Sequence, residues 1–240
     1  MTPLIRAGVS RVPRSGGAPA GPTDPFFANV VSLLHFDGAD ESTTFSDVTG
    51  KVWTPVGDAK IDTAQFKFGG SSSNYGNTGR ITTPTAAGFG FGTGDYTIEF
   101  WMRPTNVSSA FRGIIDLRTA ASTVAPNINL ANATIVMREA ENNRITSGSI
   151  IAINTWYHIA VARSGNDTKM FVDGTQVGST YSTNNNLGST QPCAFGCFGA
   201  GVSVDAGFKF LGWLDDLRIT KGVARYTANF SVPTAAYPDQ

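Results

Sequence analysis

Glutamate is almost missing from this sequence: the 240 residues contain four, Glu41, Glu99, Glu139 and Glu141. With only 15% of residues charged, the chain lacks the material of long solvent-facing helices. Histidine and cysteine are equally scarce, at two each. Cys193 and Cys197 stand in "CAFGC"; on a strand they share a face about 13 Å apart, too far for a disulfide. They read as small buried hydrophobes of a protein folded in a reducing cytosol. Neither His35 nor His158 has the local spacing that would complete a metal site with them. No apolar run reaches the roughly 18 residues of a membrane-spanning helix. The formal net charge is zero, so no global field recruits nucleic acid or an acidic membrane. Heptads and solenoid- or propeller-length repeats are also missing, which removes coiled-coil shafts and repeat arrays.

What remains is abundant Gly, Ser, Thr and Asn, arranged as short apolar runs between turn residues. Strands are expected over 30–36, 51–55, 65–68, 79–83, 96–103, 113–117, 127–130, 134–138, 145–147, 156–163, 169–172, 175–181, 192–198 and 208–220. Such a series, with no sustained helical period, predicts an all-β, two-sheet antiparallel jelly-roll sandwich. Two hairpins adjoin each other, one turning over 164–167 and one at Asp173-Gly174, a dipeptide suited to a type I′ turn. The glycine-rich "GFGFGTGD" (88–95) precedes a strand instead of joining strand to helix, so it reads as a turn and not a phosphate loop.

The first 25 residues have a different texture. Arg6, Arg11 and Arg14 lie among prolines and glycines with no acid before Asp24, giving residues 1–23 a charge of +3 on a remainder of −3. No continuous apolar core marks this segment as a secretion signal. It is expected to be an extended basic docking arm (1–25) in front of one domain (26–240), since it cannot bury enough of itself to fold alone.

Three segments carry a family likeness: "GDYTIEFWMRP" (94–104), "NTWYHIAVARSGNDTKMFVDGTQVG" (154–178) and "GWLDDLRITKGVARYTANFSVPTAAYP" (212–238). With "LLHFDG" (33–38) and "FGGSSSNY" (68–75) they resemble, in order, the laminin-G-like, concanavalin-A-like lectin/glucanase jelly roll. The ending "DDLRITKGVARYTANF" is similar to the version common in tailed-bacteriophage and prophage structural proteins. That likeness implies a virion surface protein, a decoration protein or short tail-fibre head docked to capsid or tail through residues 1–25. It also implies synthesis in the host cytoplasm without a signal peptide, and a homo-oligomer such as a trimer. The alternative is an adhesin that recognises host surface carbohydrate.

The resemblance implies a calcium ion near the first and last strands, which on this chain selects Asp37 and Asp215, completed by oxygens around Gly70 and Ser71. The residues alone allow another reading. In it Asp215 accepts backbone N–H groups, and Asp216 pairs with Arg218. Strict alternation would put Asp215 on one face with Trp213, Leu217 and Ile219.

The glucanases of this fold carry a Glu-x-Asp-x-x-Glu strand whose carboxyls work about 5 to 5.5 Å apart. No such strand occurs here, Asp95 and Glu99 being too distant along one strand, so the chain is expected not to be an enzyme. Alternation places Trp101 with Glu99 and Arg103, and Trp156 with His158, away from Ile98, Phe100 and Met102. These rings either stack sugars in a groove or pack under loops. The sugar-binding candidates are therefore Trp101, Trp156 and the amides Asn184, Asn185 and Asn186.

Overall fold

A computed structural model gives the fold and describes residues 23–83, 88–108, 111–118, 123–140, 142–188, 193–197 and 208–240. Arg6, Arg11 and Arg14 of the expected arm lie outside these residues, as does Glu141. The elements, in chain order, are a 3-10 turn Phe27–Asn29 and the strands β1 Val30–Leu34, β2 Phe45–Ser46, β3 Val52–Val56, β4 Lys60–Asp62, β5 Ser72–Asn74, β6 Arg80–Thr83, β7 Tyr96–Pro104, β8 Arg112–Asp116, β9 Pro126–Ala131, β10 Thr134–Glu139, β11 Asn142–Ser149, β12 Tyr157–Ser164, β13 Asp167–Val172, β14 Thr175–Ser182, β15 Cys193–Phe195 and β16 Gly212–Lys221.

They form two antiparallel sheets. The first runs β14-β13-β12-β7-β16-β5-β4, with β1 also paired to β16; the second runs β11-β10-β9-β8-β15-β6-β3-β2. This is the expected concanavalin-A-like jelly-roll sandwich. Its core follows the alternation of the strands: Ile98, Phe100 and Met102 of β7, Ile159 and Val161 of β12, and Ile128, Leu130, Ile135 and Met137 of β9 and β10 meet between the sheets, fully buried. The 164–167 turn joins β12 to β13, and Asp173 (φ 48°) and Gly174 (φ 75°) make the primed turn between β13 and β14. Cys193 and Cys197 are buried free thiols.

Two expectations change. Residues 65–68 are not a strand, because the N–H groups of Lys67 and Phe68 donate to the Asp215 carboxylate at 2.6 and 3.1 Å instead of to a neighbouring strand. The simple alternation of β16 also fails. Asp215 pairs with Trp101 and Arg218 with Glu99, so Asp216 and Leu217 together oppose Phe100. This is a β-bulge, with Asp216 at φ 45°. Leu214, Leu217 and Ile219 therefore all reach the core, while Trp213 and Asp215 sit across from Arg103 and Trp101 on the outer face. The extra residue removes both acids from the apolar side, which answers why two adjacent aspartates interrupt so hydrophobic a strand.

The outer face of the first sheet is covered by the chain's own C-terminal segment. Ala160 and Ala162 leave depth there, filled by Phe171, Tyr226 and Phe230; the last two rings stack at 3.6 Å. The tail is fixed to the β13–β14 turn by Phe230 N–H donating to Gly174 O at 2.9 Å. A side chain at Gly174 would meet Phe230 O, an ideal Cβ falling 2.0 Å away.

Candidate functional site

The outer face of the first sheet divides into a closed part and an open part. In the closed part Glu99 is fully buried. Arg218 donates to it through Nε at 2.9 Å and lies over the Tyr237 ring at 3.8 Å; Tyr226 OH donates to it at 2.7 Å. Asp24 joins the cluster, accepting from Arg218 at 3.0 Å and from Arg225 at 3.0 and 2.6 Å. Burial alone would raise the Glu99 carboxyl, but Arg218, His158 and Tyr226 hold it down to about 2. Asp24 is lowered as well: burial opposes the shift, and its Arg225 and Phe26 hydrogen bonds and the two arginines outweigh it. Asp24 lies within the stretch expected to be arm, and it is buried against the body; its N–H donates to Gln240 O at 2.6 Å.

Asp216 does not pair with Arg218. Its carboxylate lies 2.5 Å from His35 Nδ1 and accepts from Tyr237 N–H at 2.9 Å. His35 bridges on to Asp239 at 2.7 Å; burial opposes its charge, but the two aspartates raise it to about 9. A cavity of about 400 Å³ beside it is lined by His35, Asp37, Tyr237 and Asp239. The imidazole there is already paired on both sides, and Tyr237 presents no free ring face, being buried.

Asp215, Asp37 and the loop before Ser71 do converge. Asp215 Oδ2 accepts the Lys67 and Phe68 N–H groups, Asp37 covers Gly69, where an ideal Cβ would fall 1.9 Å from its Oδ1, and Ser71 Oγ accepts from Gly38 N–H at 3.0 Å. Calcium, however, requires six to eight oxygens, whereas the loop turns two N–H groups toward Asp215. Among the described residues no group of three or more His, Cys, Asp or Glu is placed to hold a metal. The donor set fits a carboxylate brace and does not fit the cation. Burial pushes the Asp215 carboxyl up to about 7 against its amide donors; a proton on the unpartnered Oδ1 leaves Oδ2 to accept both amides.

The same loop decides the fate of Trp101. Its ring is 3% exposed, with Lys67 Nζ 3.9 Å above its centroid and Phe68 edge-on at 5.9 Å. Trp101 is thus a packed residue. The asparagine loop is also largely structural at its centre. Asn185 Nδ2 donates to Glu139 Oε2 at 3.0 Å, and the buried Arg163 donates to the carbonyls of Thr183 and Asn185, leaving only Asn184 and Asn186 exposed. This loop bridges Gly92, before the start of β7, while Trp101 lies five residues into that strand, so the structure does not join the two into one surface.

On the second sheet, the outward Asp116, Asn127 and Asn129 are fully buried. Arg118 closes a fork on Asp116 at 2.9 and 2.9 Å, a matched pair.

The open part lies at the start of β16. Trp213, half-buried, faces Arg103 across the β7–β16 pairing, with the guanidinium 5.3 Å from its ring centroid. Arg103 donates to Asn154 Oδ1 at 3.2 Å, on the loop that also carries the half-buried Trp156. A cavity of about 240 Å³ is lined by Asn74, Gly76, Asn77, Thr105, Gly212 and Trp213. Glycine is required at 212 because the backbones of β7 and β16 approach closely: φ is 144°, and an ideal Cβ would fall 2.2 Å from Arg103 O. An aromatic ring, side-chain amides and a planar cation form a set that binds polar, ring-shaped ligands. None of the sugar-binding candidates named from the sequence lines this cavity; Trp156 only shares the loop of Asn154. Alternation placed Arg103 on the more polar face of its strand but grouped Trp213 with Leu217 and Ile219, and the meeting of the two depends on which strands pair.

No curated protein matches the chain in sequence. Among solved structures, the binding domain of Paraclostridial Mosquitocidal Protein 1 aligns with a TM-score of 0.62 at 17% identity, over 82% of this chain and 50% of that one. Domain 4 of AbnA, a GH43 extracellular arabinanase from Geobacillus stearothermophilus solved with arabinotriose, aligns at 0.59 and 16% identity, over 82% and 94%. Botulinum neurotoxin type C, which enters cells in dependence on interaction with two ganglioside molecules, aligns at 0.59 and 15%, over 82% and 49%. The chain thus spans about half the length of the toxin chains it matches. These likenesses establish the fold, and the model of the concanavalin A-like lectin/glucanases superfamily matches residues 75–225; the chain belongs to that superfamily.

Proposed function

We propose that this chain is a non-enzymatic recognition module that holds carbohydrate weakly through the Trp213 pocket and is displayed in many copies on a virion surface. The observation that carries the reading is the contrast on one sheet face: the buried carboxylate Glu99 is sealed beneath Arg218 and Tyr226, whereas Trp213, Asn74 and Asn77 line an open cavity. Stacked rings and amides suit the apolar faces and hydroxyls of sugars, and a stacking contact adds only about 0.5 to 1.5 kcal/mol beyond burial. Adhesion then depends on multivalency, which raises avidity without new contacts. The solved relatives that bind arabinotriose or gangliosides support the ligand class. The buried Glu99 is committed to Arg218 and Tyr226, and its neighbour Asp24 to Arg218 and Arg225, which supports binding without cleavage.

The virion setting rests on the likeness of "DDLRITKGVARYTANF" to phage structural proteins and on the basic residues 1–25. Asp24 fixes the root of that arm near Arg218 and Arg225, away from the Trp213 end of β16. The test is a glycan array probed with the protein clustered on beads, together with chromatography of the recovered sugars. Binding that is lost in Trp213→Ala and releases no shorter product is expected. No binding at high avidity, or cleavage, would overturn the proposal. For the virion role, deleting residues 1–22 is expected to leave a folded domain that no longer joins the particle.

A further inference from the structure

Arg103 is an unmatched cation. Among the described residues no carboxylate lies within ion-pair distance of it, and of its five N–H groups only one, on NH1, has a protein acceptor, Asn154 Oδ1. The contact with Asn154 and the Trp213 ring fix the guanidinium plane, so its remaining N–H edge is pre-organised. The indole N–H of Trp213 is buried and likewise has no acceptor.

The nearby acids are committed elsewhere. Asp58 accepts the N–H groups of Asn77 and Thr78 at 3.2 and 3.0 Å, and Asp62 accepts from Asn74 at 3.2 Å and from Ala64 N–H at 2.7 Å. The pocket's amide at Asn74 is consumed by Asp62 and by Gly76 N–H. Arg103 and the Trp213 indole therefore bring N–H groups that have no protein acceptor among the described residues. A neutral sugar hydroxyl both donates and accepts; a carboxylate only accepts, through two oxygens matching the guanidinium fork.

We infer that the Trp213 pocket takes a carboxylate-bearing saccharide, the sugar ring against Trp213 and the carboxylate on the free edge of Arg103. This rests on the carbohydrate-binding reading above and narrows it to acidic sugars. Every other charged group on this sheet face that contacts a ring, apart from Lys67 over the buried Trp101, is paired with a carboxylate. Arg218 and Arg225, over Tyr237 and Phe26, share Asp24.

The experiment displays the full chain on beads and probes immobilised oligogalacturonate, sialyllactose and the neutral controls methyl-esterified oligogalacturonate and lactose. The protein is the wild type, Arg103→Gln, Arg103→Lys or Trp213→Ala, and each variant is also melted to confirm folding. The expected result is preference for at least one acidic probe over its neutral control. That binding should fall about tenfold to a hundredfold in Arg103→Gln, the size of a charged hydrogen bond. Arg103→Lys should restore only part of it, Trp213→Ala should abolish it, and melting temperatures should be unchanged. Equal binding of acidic and neutral probes, or acidic binding indifferent to Arg103→Gln, overturns the inference while leaving carbohydrate recognition standing. No binding to any probe overturns both.

Discussion

The two ends of β16 carry the same kinds of side chain and use them oppositely. Around Glu99 and Arg218 each charge has a partner, and the chain's own tail packs Tyr226 and Phe230 over the surface. Around Arg103 and Trp213 a cation has one protein acceptor for its five N–H groups, and an indole N–H has none. A matched cluster is cohesive structure, while an unmatched but rigid one invites a ligand.

The largest expected effect breaks the matched end. Glu99→Gln leaves Arg218 and Arg225 sharing the single carboxylate of Asp24, one buried positive charge in excess, and is expected to cost about 3 to 5 kcal/mol in chemical denaturation, against less than about 0.5 kcal/mol for Arg103→Gln, a surface change. Similar costs for the two would erase the distinction. Because the folded Glu99 is held at about 2 against an ordinary 4.5, its contribution is complete above pH 4.5. It is lost as pH falls from there toward 2, a decline that Glu99→Gln should remove.

Trp101→Ala sharpens the comparison, since that ring sits between the two ends and is covered. It is expected to cost about 3 to 5 kcal/mol through the cavity left behind, with sugar binding per folded molecule unchanged. Selective loss of binding would place Trp101 in the site after all.

Asp215→Ala should cost about 1 to 3 kcal/mol by leaving the Lys67 and Phe68 N–H groups unpaired, and melting should be the same with and without chelator. A chelator-induced drop would show that calcium, not the amide brace, holds the loop. With its folded carboxyl raised to about 7 from 3.8, Asp215 keeps a proton that the unfolded chain has lost. Stability should therefore fall as pH rises through that window, and Asp215→Asn should flatten the slope.

The smallest expected effect concerns His35, raised to about 9 from 6.5. Its ion pairs with Asp216 and Asp239 contribute fully below pH 6.5 and fade as pH rises to about 9. Hydrogen exchange at the Tyr237 amide should quicken over that range beyond the intrinsic rate, and should not do so in His35→Gln.

The parts legible in the sequence were those set by local chemistry. Asp173-Gly174 specified its turn because both residues take positive φ, and the alternation of Ile98, Phe100 and Met102 fixed the buried face of β7. The buried thiols Cys193 and Cys197 followed in the same way. The convergence of Asp37, Asp215 and the loop before Ser71 came from the family likeness. What depended on pairing was not legible. The bulge at Asp216 exists only as a mismatch between β16 and β7, so the faces of Leu217 and Ile219 were misassigned from strict alternation. Arg103 and Trp213, more than a hundred residues apart, meet only in that same ladder. Trp101 was placed on the correct face, but its cover is brought by Lys67 and Phe68, residues whose own strand-like pattern pointed elsewhere.

The pairing of β1 with β16 has a mechanical meaning. Val30 lies beside Thr220, so β1 enters at the end of β16 remote from Trp213 and runs antiparallel to it. If a particle pulls on residue 24 while a ligand pulls on Trp213, tension passes lengthwise along β16, a strand bonded on both edges. The hydrogen bonds between β1 and β16 are then loaded together in shear instead of one after another as in peeling, and the Asp24 ion pairs with Arg218 and Arg225 take the first load. Such a module resists being torn from a surface far better than its equilibrium stability alone would imply.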